Sequence, residues 1–105
     1  MRKIFKYTIP ADENQPIYVP AGSWLLSLIC QNDTPVVYFL TDPATKEMEK
    51  IYFRMIGTGE EIDEKELDEY WIFVGTVQQY GGRLVWHVWM SDSSVEYYHN
   101  EKTEF

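Results

Sequence analysis

Tyr52-Phe53-Arg54-Met55-Ile56-Gly57-Thr58-Gly59 reads as an apolar strand running into a Gly-Thr-Gly turn. Its counterpart is Leu84-Val85-Trp86-His87-Val88-Trp89, a β-prone run with two tryptophans and one of the chain's two histidines. Successive side chains of a strand point to opposite faces. Ile51, Phe53 and Met55 therefore share one face, and Lys50, Tyr52, Arg54 and Ile56 the other. Trp86 alternates with Leu84 and Val88 and is expected in the core. His87 and Trp89 share the opposite face with Val85. A ring beside an imidazole can stack a base or another planar ligand, and it can equally form a second packed face or a subunit contact.

The neighbouring segments carry the same signal. Residues 2–9 alternate, with Ile4, Lys6 and Thr8 on one side and Lys3, Phe5, Tyr7 and Ile9 on the other, which predicts a strand. Pro10 ends it. Ile17-Tyr18-Val19 is a short β-prone piece closed by the turn Pro20-Ala21-Gly22. Trp24 to Cys30 and Val36 to Leu40, joined by Asn32-Asp33, read as a hairpin. Glu49 to Ile56 reads as one strand. The acidic stretch 60–69 is expected to be one short helical turn or a loop. Tyr70 to Gln78 is another strand, with Gly75 at a bulge or a close-approach site. Tyr80-Gly81-Gly82 turns it into Leu84–Met90. The sum is an all-β fold: a small antiparallel β-sandwich or partly open barrel of about six or seven strands. The expected organisation is a single β domain over residues 1–90 and a polar C-terminal tail over 91–105.

The 105 residues suit one domain, large enough to bury a core without disulfide or metal. The formal net charge of -8 argues against binding a nucleic-acid backbone, which asks for a basic face. It leaves room for plain solubility, for an acidic face that docks on a basic protein, and for a local basic pocket inside an acidic shell. Aromatic residues make up 16% of the chain, so some rings are expected at a surface, where exposed aromatic patches mark contacts. One cysteine, Cys30, cannot close an internal disulfide and points to a reducing cytosol. Neither a signal peptide nor a run able to span a membrane is read from the sequence.

Chemistry is sparse. The Gly57-Thr58-Gly59 turn offers backbone amides and a hydroxyl, and successive amides can form an anion-binding nest. A tight strand exit needing positive φ would use the same glycines. Arg54, just before the turn, could grip phosphate or carboxylate, or pair with one of the many surface acids. His87 as a general base would need a nucleophile and an orienting group, and only Thr58 and Cys30 offer themselves in principle. Two histidines and unpatterned carboxylates give no metal-ligand set. The expectation is a non-enzymatic protein without metal or cofactor. Its candidate ligand-binding residues are Arg54, Gly57, Thr58, Gly59, His87 and Trp89.

Several short elements resemble a family of small proteins of unknown function encoded mainly by bacteriophages and prophages. They are Lys6-Tyr7 with Ile9, Pro20-Ala21-Gly22 followed by Leu26-Ser27, Leu40-Thr41-Asp42-Pro43 and Phe53. Gly57-Thr58-Gly59 with Ile62, Gly75-Thr76 and Leu84-Val85-Trp86-His87-Val88 complete the set. The similarity covers most of residues 3–89, and its most specific parts are the Gly-Thr-Gly and Val-Trp-His-Val elements. A His-Pro pair often follows the Gly-Thr-Gly in that family; Glu60-Glu61 stands here instead. The resemblance implies phage origin and an accessory role in the host bacterial cytoplasm. The expected role is counter-defence: a homo-oligomer that sequesters a nucleotide-type immune signalling molecule without cleaving it, with no nucleic-acid or membrane partner. Two alternatives stand beside it. One is an acidic inhibitor whose 60–69 segment imitates a nucleic-acid backbone and blocks a host nuclease or CRISPR effector. The other is a minor virion or assembly protein.

Overall fold

A computed structural model of the chain describes residues 1–91. Eight strands follow one another: β1 (Lys3–Thr8), β2 (Ile17–Pro20), β3 (Trp24–Gln31), β4 (Thr34–Thr41), β5 (Met48–Ile51), β6 (Phe53–Gly57), β7 (Trp71–Gln79) and β8 (Leu84–Ser91). They form three antiparallel open sheets, ordered β1-β4-β3, β2-β5 and β6-β8-β7. The all-β class expected from the sequence is the one observed.

The strand count is eight and not six or seven, because the run Glu49–Ile56 is not one strand. The chain changes sheets at Tyr52. Ile51 pairs with Ile17 of β2, whereas Phe53 pairs with Met90 of β8. Tyr52 lies in neither ladder, and its backbone is satisfied by Ser91: the Tyr52 N–H donates to Ser91 Oγ at 2.9 Å, and the Ser91 N–H donates to the Tyr52 carbonyl at 2.8 Å. Strands that switch sheets in this way turn the corners of packed sheets. Ser91 is thus a buried member of β8, one residue past the expected end of the domain. Residues 92–105, which hold the expected tail, lie outside the described residues.

The core draws on all three sheets. Val37 and Phe39 of β4, Ile17 and Val19 of β2, Ile51 of β5, Phe53 of β6, Val77 of β7 and Val88 of β8 form one buried cluster, joined by Ile9. Trp86 packs against it as expected, half-buried, with its indole N–H donating to Gln79 Oε1 at 2.7 Å. Fully burying an aliphatic side chain contributes about 1.5–3 kcal/mol, so this cluster is the main source of stability. One carboxylate shares the interior: Glu49, 9% exposed, accepts the Gly22 N–H at 2.6 Å and fastens the turn after β2.

Two hairpin turns lock the β1-β4-β3 sheet to the β6-β8-β7 sheet. Asn32 and Asp33 both take positive φ, 51° and 61°, the conformation of a two-residue hairpin that matches strand twist. Asp33 then accepts two bonds from the other turn, its carbonyl from Gln79 Nε2 at 2.7 Å and its carboxylate from the Tyr80 N–H at 3.0 Å. Nearby, β7 bulges between Phe73 and Gly75. Gly75 takes φ +153° at this bulge, a conformation that favours glycine, and a Cβ there would meet Leu28 of β3 at an ordinary 3.5 Å.

Candidate functional site

Register determines which side chains meet on the face of the β6-β8-β7 sheet turned away from the core. Arg54 stands opposite Trp89, and Trp89 opposite Phe73. Ile56 stands opposite His87, and His87 opposite Thr76. The Phe73 and Trp89 rings meet edge to face, with centroids 5.0 Å apart and planes at 64°. The Arg54 guanidinium carbon lies 4.7 Å from the centre of the Trp71 ring, within cation–π range. Arg54, His87 and Trp89 therefore share one face, as their alternation predicts. Trp71, Phe73 and Thr76 join them there and escaped the sequence reading. Their own strand was legible, but the bulge at Phe73/Gly75 shifts its register, and only pairing shows which rings reach Trp89.

His87 is held from both sides. Its Nε2 lies 2.8 Å from Thr58 Oγ1 and its Nδ1 3.1 Å from Thr76 Oγ1. One ring nitrogen of a neutral imidazole donates and the other accepts, so two hydroxyls satisfy both. The ring is held in place between the Thr58 and Thr76 hydroxyls, and Thr58 is the hydroxyl the sequence offered as a partner for His87.

Of the two readings open for the Gly-Thr-Gly turn, an anion-binding nest and a tight strand exit, its hydrogen bonds favour the exit. The Gly57 N–H donates to a carboxylate oxygen of Glu60 at 3.3 Å. The Thr58 N–H donates to the Val85 carbonyl at 3.2 Å, and the Glu60 N–H to the Gly57 carbonyl at 3.1 Å. Two of the three amides offered by Gly57, Thr58 and Gly59 are thus spent inside the chain, one of them on the chain's own anion. Gly59 has a backbone reason to be glycine. It takes φ +87°, and at Gly57 a Cβ would meet the Trp86 ring at 3.6 Å, an ordinary contact. What the turn gives the face is the Thr58 hydroxyl.

Arg54 is also engaged. Its Nη1 donates to the Glu66 carbonyl and lies 3.9 Å from the Glu66 carboxylate. The surface ion pair that its position allowed is therefore formed. It ties the acidic segment to this face as a 3-10 turn over Glu64–Glu66, which Asp63 caps by accepting the Lys65 N–H. Glu61, Glu64 and Glu69 carry no side-chain partner among the described residues.

A separate cavity of about 240 Å³ lies on the opposite, core-facing side of the sheet, lined by Pro10, Ala11, Glu13, Phe53, Met55 and Trp86. None of the six residues predicted from the sequence lines it. Among the described residues no cluster of three His, Cys, Asp or Glu side chains is arranged to hold a metal ion. No helix among them is long and apolar enough to cross a membrane.

The profile of DUF7352, a domain of unknown function, matches residues 1–98. The chain belongs to this family. The DUF7352 match runs past β8 into the last residues, further than the motif resemblance, which stops at residue 89. No curated protein and no solved structure matches the chain.

Proposed function

We propose that this DUF7352 protein is a binding protein that holds a planar, nucleotide-type molecule on the outer face of its β6-β8-β7 sheet without cleaving it. The observation that carries the reading is the gathering of three rings, Trp71, Phe73 and Trp89, with Arg54 and His87 on that one face. Flat side chains give a base a stacking surface, each stacked base contributing about 1–3 kcal/mol. Arg54 lies over Trp71, its guanidinium carbon 4.7 Å from the ring centre, a position from which it could meet an anionic group of a ligand stacked on this face. The pinned His87 presents a polar edge that is already satisfied and therefore inexpensive to cover. Thr58 Oγ1 stands 2.8 Å from His87 Nε2, but the other ring nitrogen meets the Thr76 hydroxyl and not an orienting carboxylate, so we read the face as one that binds and does not cleave.

The setting we propose is the one the motif resemblance implies: a phage protein in the host cytoplasm that keeps an immune signalling nucleotide from its receptor. Glu66 must give way for Arg54 to reach an anionic group, so ligand and acidic segment compete for one guanidinium.

Thermal-shift and calorimetric titration with cyclic dinucleotides and ADP-ribose-type nucleotides tests the reading. At least one is expected to raise the melting temperature of the unmodified protein. Arg54→Ala and Trp89→Ala are expected to remain folded and to lose that response. A panel without any response removes the proposal, and a folded Arg54→Ala variant that binds undiminished removes this face as the site.

A further inference from the structure

The outer face of the β1-β4-β3 sheet belongs to no site described above, and its make-up runs against that of the chain. Ile4, Leu40 and Trp24 are direct partners across the three strands and form one apolar row. Ile4 is 60% and Trp24 64% exposed, and Leu26 and Ile29 stay open on β3. Scattered exposed leucines need no explanation, but a contiguous row that ends on an open tryptophan marks a contact surface. The charges on this face are positive. Arg2 lies over the Trp24 ring at 5.8 Å, and Lys6 donates to Gln31 Oε1 at 3.4 Å. No carboxylate occupies a strand position here, and neither cation has an acidic partner among the described residues. In a chain of net charge -8, two unpaired cations framing an apolar row are a local inversion of sign.

The same chain carries the complement. Glu61, Glu64 and Glu69 are exposed and unpartnered, and Ile62 stands open between the first two. Asp63 and Arg54 hold this segment in a fixed shape. The two surfaces cannot meet within one molecule. The acidic segment is anchored to the outer face of one sheet and the basic row lies on the outer face of another, with the core between them.

We infer that the Ile4-Leu40-Trp24 face of one copy receives the acidic 60–69 segment of a second copy, head to tail. Ile62 supplies the apolar anchor, and Glu61, Glu64 and Glu69 meet Arg2 and Lys6. The contact is heterologous, so it propagates into a ring or a chain and not into a two-fold dimer. A two-fold dimer through the basic face would bring Arg2 and Lys6 against their own copies, and like charges so placed repel. This contact does not depend on the ligand reading, and either can fail without the other.

Sedimentation of the full chain over a concentration series, at about 0.1 M and about 1 M salt, gives the first test. The screening length falls from about 10 Å to about 3 Å across that range. The inference expects assemblies at low salt that dissociate at high salt. A chain that stays monomeric throughout overturns it, as does association that strengthens with salt, the mark of a two-fold apolar dimer. The second test uses charge reversal. Arg2→Glu with Lys6→Glu in one protein, and Glu61→Lys, Glu64→Lys and Glu69→Lys in another, are each expected to be monomeric alone and to associate when mixed. A mixture that stays monomeric, with both proteins melting cooperatively, overturns the head-to-tail contact. Should either multiple variant fail to fold, Trp24→Gln decides. At a position this exposed the melting temperature is expected to hold while association weakens at least about tenfold, and undiminished association overturns the role of this face.

Discussion

Tyr7 shows how one residue couples the fold to solution conditions. Its ring meets Phe39 edge to face, with centroids 5.8 Å apart, and packs on the core. Burial raises its pKa above the ordinary 10.0, because removing water penalises the phenolate. The folded state therefore favours the neutral phenol. Its contribution is fully present below the unfolded value and is lost as pH rises through the raised folded value. Tyr7→Phe is expected to flatten the alkaline fall in stability, which melting curves collected from pH 8 to pH 11 would show against the unmodified chain. At the same scale, the Gly-Thr-Gly turn illustrates how a motif can be legible while its use is not. Gly57 and Gly59 were recognisable as a turn from their type alone. That the Glu60 carboxylate occupies the Gly57 amide depends on a rotamer and a loop path that composition does not encode.

Among the elements, the corner at Tyr52 departs furthest from the local pattern. An alternating pattern reports only which face of a strand meets the core, not which neighbour it pairs with. Ile51 and Phe53 both face the core, so the alternation runs unbroken through the switch from the β2-β5 sheet to the β6-β8-β7 sheet. The corner is held by Ser91, whose hydroxyl accepts the Tyr52 N–H and is itself buried. Ser91→Ala leaves that N–H without its partner and is expected to cost about 1–2 kcal/mol, read by urea denaturation. Faster amide exchange at Tyr52 than at Val37 would locate the damage at the corner. By contrast, the hairpin at Asn32-Asp33 and the bulge at Gly75 were readable in advance, because each depends on backbone conformations that few residue types adopt.

For the molecule as a whole, stability and recognition are divided between the two sides of one sheet. The inward side of β6-β8-β7 contributes Phe53, Val77, Val88 and the Trp86 ring to the core; the outward side presents Trp71, Phe73, Trp89, Arg54 and His87. Trp86→Ala removes a ring from the first side and its bond to Gln79, and is expected to cost about 3 kcal/mol, toward the lower end for a tryptophan because the ring is half-buried. Chemical denaturation measures this, and Trp86→Phe should recover part of the loss. The sequence by itself determined the all-β class, nearly every strand, the turns, and the faces on which Arg54, His87, Trp86 and Trp89 would lie. Those depend on local geometry: side-chain alternation, proline and glycine conformations, and the propensities of branched and aromatic residues. Only the tertiary structure decided that two short strands occupy the place of one, that Thr58 and Thr76 clamp His87, and that Arg54 already holds Glu66. It alone placed Arg2, Lys6 and Trp24 on a face without carboxylates. These outcomes join residues far apart in the chain, and pairing between distant segments is set by how whole sheets pack, which no local pattern records.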